Sequence, residues 1–255
     1  PNSKEPKNLV KIEIMKIKKQ LIVWVVAITA AISHQGVHAQ ADALSLRAYL
    51  GGSTTMWQRK IDQTEQDSFN QAMAQYGFLN ATMAGKDEEA FDKYYEPTLD
   101  LLDELIEANV EVASCKAVKS SVYGLAMAYA SWKGMYLGPK SSGLVEEAYA
   151  DEPNNPLVVK LYASSKLYTP EMFGGDPKEA LVEFKRSVQL FEEAGDTTNN
   201  WLYMDALAHL GITYGKVGQH QEAIEVYAKA LSLEPEFNWV KYSLKPSAEK
   251  RIASK

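Results

Sequence analysis

The segment Met204–Phe237, MDALAHLGITYGKVGQHQEAIEVYAKALSLEPEF, constrains this chain more than any other part of it. Leu207, Leu210, Gly211 and Tyr214 recur at helical spacing, and Lys216–Gln219 supplies a tight turn containing Gly218. A second amphipathic stretch carries Ala223, Tyr227 and Ala230. Pro235 then ends it, because proline cannot donate to the carbonyl four residues back. Gly211 and Ala223 are small enough to let two antiparallel helices approach closely, and Tyr214 and Tyr227 fill the wider gaps. A lone hairpin of this kind cannot bury its own apolar side, so it must stack on neighbours.

With Leu-Gly-x-x-Tyr followed by an alanine, an aromatic, a second alanine and a proline, this unit resembles a tetratricopeptide repeat. It departs at one position, where Leu207 stands in the place tryptophan most often takes. Looser units precede it. Asn155-Pro156 opens a helix with Leu157, Val158, Leu161 and Tyr162 on one face, and Pro170 breaks it. In the loop and helix FGGDPKEALVEFKRSVQLFEEAG, Asp176 is placed to cap and Pro177 to occupy the first turn, with Ala180, Phe184 and Ser187 as the buried positions. Farther back, Cys115, Val118, Val122, Leu125, Ala126, Tyr129 and Trp132 form a stripe, answered by Leu144, Val145 and Ala148 before Pro153. The earliest pair runs through Phe69, Met73 and Tyr76, then Phe91, Tyr94, Leu102 and Leu105, with Pro97 expected to kink or split its second helix.

The expected fold is all-α: an α-solenoid of four antiparallel helix hairpins over residues 67–255, closed by a capping helix around Trp239 and Val240. Residues 40–66 show no repeat pattern and are expected to be irregular. The leader, the TPEMFGGDPKEA loop and the closing EPEFNWVKYSL also resemble secreted tetratricopeptide proteins of the Bacteroidota.

Before residue 40 the chain reads differently. Residues 1–14 are taken as upstream sequence or an expression remnant, with Met15 as the expected start. Lys16, Lys18 and Lys19 then precede an apolar run, Leu21–Ile32, and small residues at Val37 and Ala39 frame a cut ahead of Gln40. That order predicts a signal peptide over 15–39 and an exported protein, periplasmic or secreted. The run is shorter than the roughly 20 residues a span requires, so no stable membrane span is expected once the leader is cleaved. No cysteine follows the run, which argues against a lipid anchor there.

Charge narrows the partners. The net charge is −6, and residues 1–39 contain six lysines and two glutamates, leaving 21 basic and 31 acidic side chains, a balance of −10. Without a basic stripe to displace counterions, nucleic acid is not an expected partner. Cys115 is the only cysteine, so neither an intrachain disulfide nor a zinc–thiolate cluster can form; a buried apolar role is expected.

No catalytic set can be assembled from this sequence. His34 and His38 belong to the leader, and His209 and His220 lack the three-ligand arrangement of a catalytic zinc site, so both read as surface histidines. The one SxxK match, Ser247–Lys250, lies in a polar tail, and Gly174-Gly175 has no phosphate-binding pattern around it. The expectation is a protein that is not an enzyme and uses no cofactor or metal.

Binding is the remaining class. The first helices of a solenoid line its inner face, which makes that face the default groove. In the clear repeat its positions are Asp205, Ala208, Ile212 and Lys216. Chaperone-binding tetratricopeptide proteins use a lysine and an asparagine there to hold a peptide carboxylate; Ala208 and Ile212 stand in those places here, so that clamp is not expected. Trp57, Tyr136, Tyr168, Phe173 and Trp201 fall outside the repeat pattern, either at binding surfaces or as wedges between hairpins. The candidate binding residues are therefore Asp205, Ile212, Lys216, Trp201, Tyr168, Phe173 and Tyr136. The implied partner is a protein or peptide of the cell envelope. The alternative is a small ligand handled in association with a solute transporter, which calls for a closed apolar channel.

Overall fold

A computed structural model describes residues 43–254, and within them the chain is built from helices with no strand. The readings made for residues 1–14 and 15–39 lie outside the described residues. Residues 43–51 form α1, followed by α2 (Thr54–Gln63), α3 (Phe69–Gly85), α4 (Glu88–Glu107), α5 (Val112–Tyr129), α6 (Gly134–Asp151), α7 (Pro156–Tyr168), α8 (Pro177–Glu193), α9 (Trp201–Lys216) and α10 (His220–Leu233). A π-helical turn, Val240–Leu244, leads into α11 (Lys245–Ala253).

Local chemistry places these boundaries. Asn155 accepts hydrogen bonds from the Leu157 and Val158 amides, and Asp176 from those of Lys178 and Glu179. Each precedes a proline at the first helical position, where the missing N–H costs nothing. Asn200 caps α9 in the same way through Leu202 and Tyr203. Gly218, at φ +83°, makes the αL turn between α9 and α10 that a side chain would strain. Pro97 does not split its helix, since α4 is helical throughout Glu88–Glu107.

The pairs α3/α4, α5/α6, α7/α8 and α9/α10 are the four expected hairpins. The first helices pack on one another in sequence, α3 on α5, α5 on α7 and α7 on α9, and each second helix packs on the first helix of the next pair. One apolar core runs through the whole stack. Within the last hairpin, a Cβ on Gly211 would lie 2.2 Å from the Tyr227 ring, so only glycine admits the tyrosine. Cys115 is buried, and burial together with Glu111 pushes its thiol up to about 12. Phe237 and Val240 close the end of the stack beside α10 and α11.

The segment expected to be irregular is the main departure. Residues 43–51 and 54–63 are helical, and the compact unit begins at Ala43 rather than near residue 67. The reason is burial. In α1, Ser45, Leu46, Ala48 and Leu50 are buried and only Arg47 and Gly51 are exposed. A helix covered on nearly every side has no reason to show the one-sided apolar stripe that marks a surface helix.

Candidate binding surfaces

Lys160 sits mid-way along α7 between apolar neighbours and is only 2% exposed. A lone ammonium there would be untenable, and its Nζ pairs with the carboxylate of Asp205, itself buried in α9. One turn later, His209 brings Nδ1 to 3.2 Å from Asp205 Oδ1 and 2.9 Å from the Asp205 carbonyl oxygen. The remaining partner comes from the other end of the chain. The Tyr49 hydroxyl, on α1, donates to Asp205 Oδ1 at 2.6 Å.

The electrostatics follow from this packing. Burial alone would raise the Asp205 carboxyl, but His209 and Lys160 outweigh it and hold the group well below the usual carboxylate range. Burial would likewise lower the Lys160 ammonium, and Asp205 more than restores it. Burial and the Asp205 charge push the Tyr49 phenol well above its ordinary value, which keeps it the protonated donor the contact requires. No polar atom of this set is left buried without a partner. Its chemistry is that of a polar lock joining α1, α7 and α9.

Around the lock lies an aromatic cluster. The Trp201 ring meets Tyr49 at 5.6 Å, Trp57 at 5.2 Å and Tyr76 at 6.1 Å between centroids, and Tyr49 also meets Phe237 at 5.4 Å. Tyr76 is linked in turn to Ser121 of α5 at 2.8 Å. Trp57 packs so closely on Gly77 that a Cβ there would lie 2.4 Å from its ring. First helices from α3 to α9 thus present one lined face, and α1 and α2 are seated against it.

The seven candidate residues divide accordingly. Trp201 and Asp205 are buried beneath the chain's own Tyr49 and are not free to meet a partner. Ile212 is half-buried, and Lys216 is exposed at the end of α9. His209 is no simple surface histidine, since it pairs with Asp205 and stacks at 5.8 Å on Phe184. Of the five aromatics outside the repeat pattern, Trp57 and Trp201 are wedges.

Tyr168, the last residue of α7, sets its ring edge-on to His209 at 5.8 Å, beside the lock, with much of its surface still exposed. Tyr136, in the first turn of α6, and Phe173, between α7 and α8, belong to the α5–α6 and α7–α8 junctions, which topology puts on the same edge of the stack. Trp132 is 67% exposed there, Met135 89%, Met172 83% and Phe173 68%. Trp132, expected to extend the α5 stripe, is exposed instead, because α5 ends at Tyr129 and Trp132 falls in the 3-10 turn that follows, Ser131–Lys133. Met135, in the first turn of α6, and Met172, in the 3-10 turn between α7 and α8, are not among the sequence candidates. A separate depression of about 380 Å3 lies between α5 and α6, lined by Lys119, Tyr123, Lys140 and Glu147 among others. It is polar-rimmed and open to solvent, unlike the closed channel a transporter-linked ligand site calls for. Among the described residues no three His, Cys, Asp or Glu side chains are grouped to hold a metal, and no helix is long and apolar enough to cross a membrane.

With α9 and α10 joined through Gly211 and Tyr227, the decisive comparison is that of the last hairpin. Residues 205–237 match the tetratricopeptide repeat family model. The stack as a whole is similar to the crystal structure of a thermophilic tetratricopeptide-repeat protein from Thermus thermophilus, with a TM-score of 0.52 and 17% identity. That likeness covers 84% of this chain and 98% of the other, and it shows the fold alone. No curated protein matches the chain. The fold is therefore an all-α tetratricopeptide-like solenoid.

Proposed function

We propose that this protein is an exported scaffold that docks a protein or peptide partner of the cell envelope along its turn edge. The observation that carries the reading is the group of exposed large apolar side chains, Trp132, Met135, Tyr136, Met172 and Phe173, at two successive hairpin junctions. Isolated exposed apolar residues are ordinary, but several large ones gathered on one edge, with Trp132 against Tyr136 at 6.0 Å, mark an interaction surface. Methionine and aromatics together suit a partner segment of irregular shape. The inner face, the usual groove of a solenoid, is filled at α9 by α1, whereas the edge is open to solvent. The leader sequence supports export.

The test is capture from envelope extracts with the tagged chain, in parallel with a Trp132→Ser/Met172→Ser/Phe173→Ser variant. The reading expects the same partner to return repeatedly with the native edge and at least tenfold less of it with the variant. Equal recovery on both would remove the edge from the account.

A further inference from the structure

The joint between α1 and α2 is made of residues that can adopt either of two arrangements. The backbone passes from α1 to α2 through Gly51, the last residue of α1, Gly52 and Ser53. Both glycines are exposed, and a Cβ at either would meet nothing within 4 Å. Gly52 sits at φ +61°, and two hydrogen bonds close the turn: Gly52 N–H to the Tyr49 carbonyl at 3.1 Å and Ser53 N–H to the Ala48 carbonyl at 2.9 Å. In a straight helix the same two amides would simply exchange acceptors, Gly52 taking Ala48 and Ser53 taking Tyr49. No backbone hydrogen bond is lost. The side-chain cap that Ser53 gives to the Met56 amide is the one local contact surrendered.

Straightening this joint would merge residues 43–63 into one helix about 30 Å long and carry α1 out of its groove along the axis of α2. Helix α2 would stay in place, because Trp57 is wedged between Gly77 and Trp201. The vacated groove would keep Lys160 and His209 on Asp205 and would lack only the tyrosine donor and the apolar side chains beside it. The one segment known to fit that groove is residues 43–51, and every second copy of this chain carries it.

We propose that α1 is exchanged between two copies of this chain, each placing its Tyr49 on the Asp205 of the other, with Gly51-Gly52 as the hinge. The closed monomer and the exchanged dimer share every groove contact, so only the hinge conformation and mass action separate them. This inference stands on a different surface from the turn edge and does not depend on the partner docked there.

The experiment measures the mass of the full chain by light scattering after refolding over a range of concentrations. Gly51→Ala/Gly52→Ala disfavours the αL turn and favours the continuous helix by about tenfold per hinge, hence about hundredfold in the dimerisation constant. Inserting four Gly/Ser residues after Gly52 lets the chain fold back on itself and should return either form to the monomer. A double variant of native helical content that remains monomeric at every concentration overturns the proposal. A dimer indifferent to the insertion sits on another surface and overturns it equally. Should the double variant fail to fold, the native chain at its highest refolding concentration, with and without the insertion, gives the same decision.

Discussion

The inner face of α9 and the turn edge of α5–α8 are both rich in large side chains, yet they are put to opposite uses. On the inner face, Trp201 and Asp205 are covered by a helix from the beginning of the fold, and a buried ion pair is completed by Tyr49, 156 positions away. At the edge, Trp132, Met135, Met172 and Phe173 touch water over most of their surface. Residues of one face carry stability; residues of the other are free to carry binding. A solenoid in which repeats touch only their neighbours would unfold piecemeal. Here α1, the first described helix, touches the last hairpin, so the two ends of the described fold are expected to unfold together.

The contrast is broken most severely at Asp205. Asp205→Ala leaves the Lys160 ammonium buried and unpaired, and a loss of about 3–5 kcal/mol is expected in denaturant unfolding. Adding Lys160→Met to that variant should recover most of it; no recovery would mean the pair is not what the substitution disrupts. The same residue sets a pH dependence. Its carboxyl is depressed in the folded state, so its contribution is complete above the ordinary carboxylate range, near pH 4, and is lost as pH falls below that range. Asp205→Asn should therefore flatten the acid limb of the stability profile below about pH 4. An acid limb of unchanged slope would assign it to other carboxylates.

Next in size is the crossing of α9 and α10. Gly211→Leu forces a side chain into the space of the Tyr227 ring and should cost about 1–3 kcal/mol. An unchanged melting curve would show that the helices do not cross there. The smallest expected effect sharpens the comparison from the other side. Trp132→Ser, Met172→Ser and Phe173→Ser should each change stability by no more than about 0.5 kcal/mol, because those side chains are solvated already. A large loss at any of them would make the edge part of the core.

The hairpins are legible in the sequence for a physical reason. A helix packed on one side writes that side as a 3.6-residue period, and Leu207, Leu210, Gly211 and Tyr214 do so plainly, as do the capping Asn155-Pro156 and Asp176-Pro177 pairs. Helix α1 cannot be read this way, since Leu44, Leu46, Ala48 and Leu50 recur at every second position in a helix that is covered almost all round. Nor can the lock be read. Lys160 among Val158, Val159 and Leu161 is the one available signal, an ammonium on a buried face that requires a counter-charge. Its partner lies two helices on, and local spacing carries no trace of such a distance. The divided fate of Trp57 and Trp201 against Tyr136 and Phe173 has no local signature either, because both outcomes place an aromatic at a helix start or turn.

The claim that the two ends of the fold are physically joined is tested most directly by a double-mutant cycle of Tyr49→Phe with Asp205→Asn in denaturant unfolding. Residues in direct contact should be coupled by about 0.5–3 kcal/mol, so the double variant should be less damaged than the sum of the single ones. Strict additivity of the two would contradict the account, because it would mean that α1 does not rest on α9.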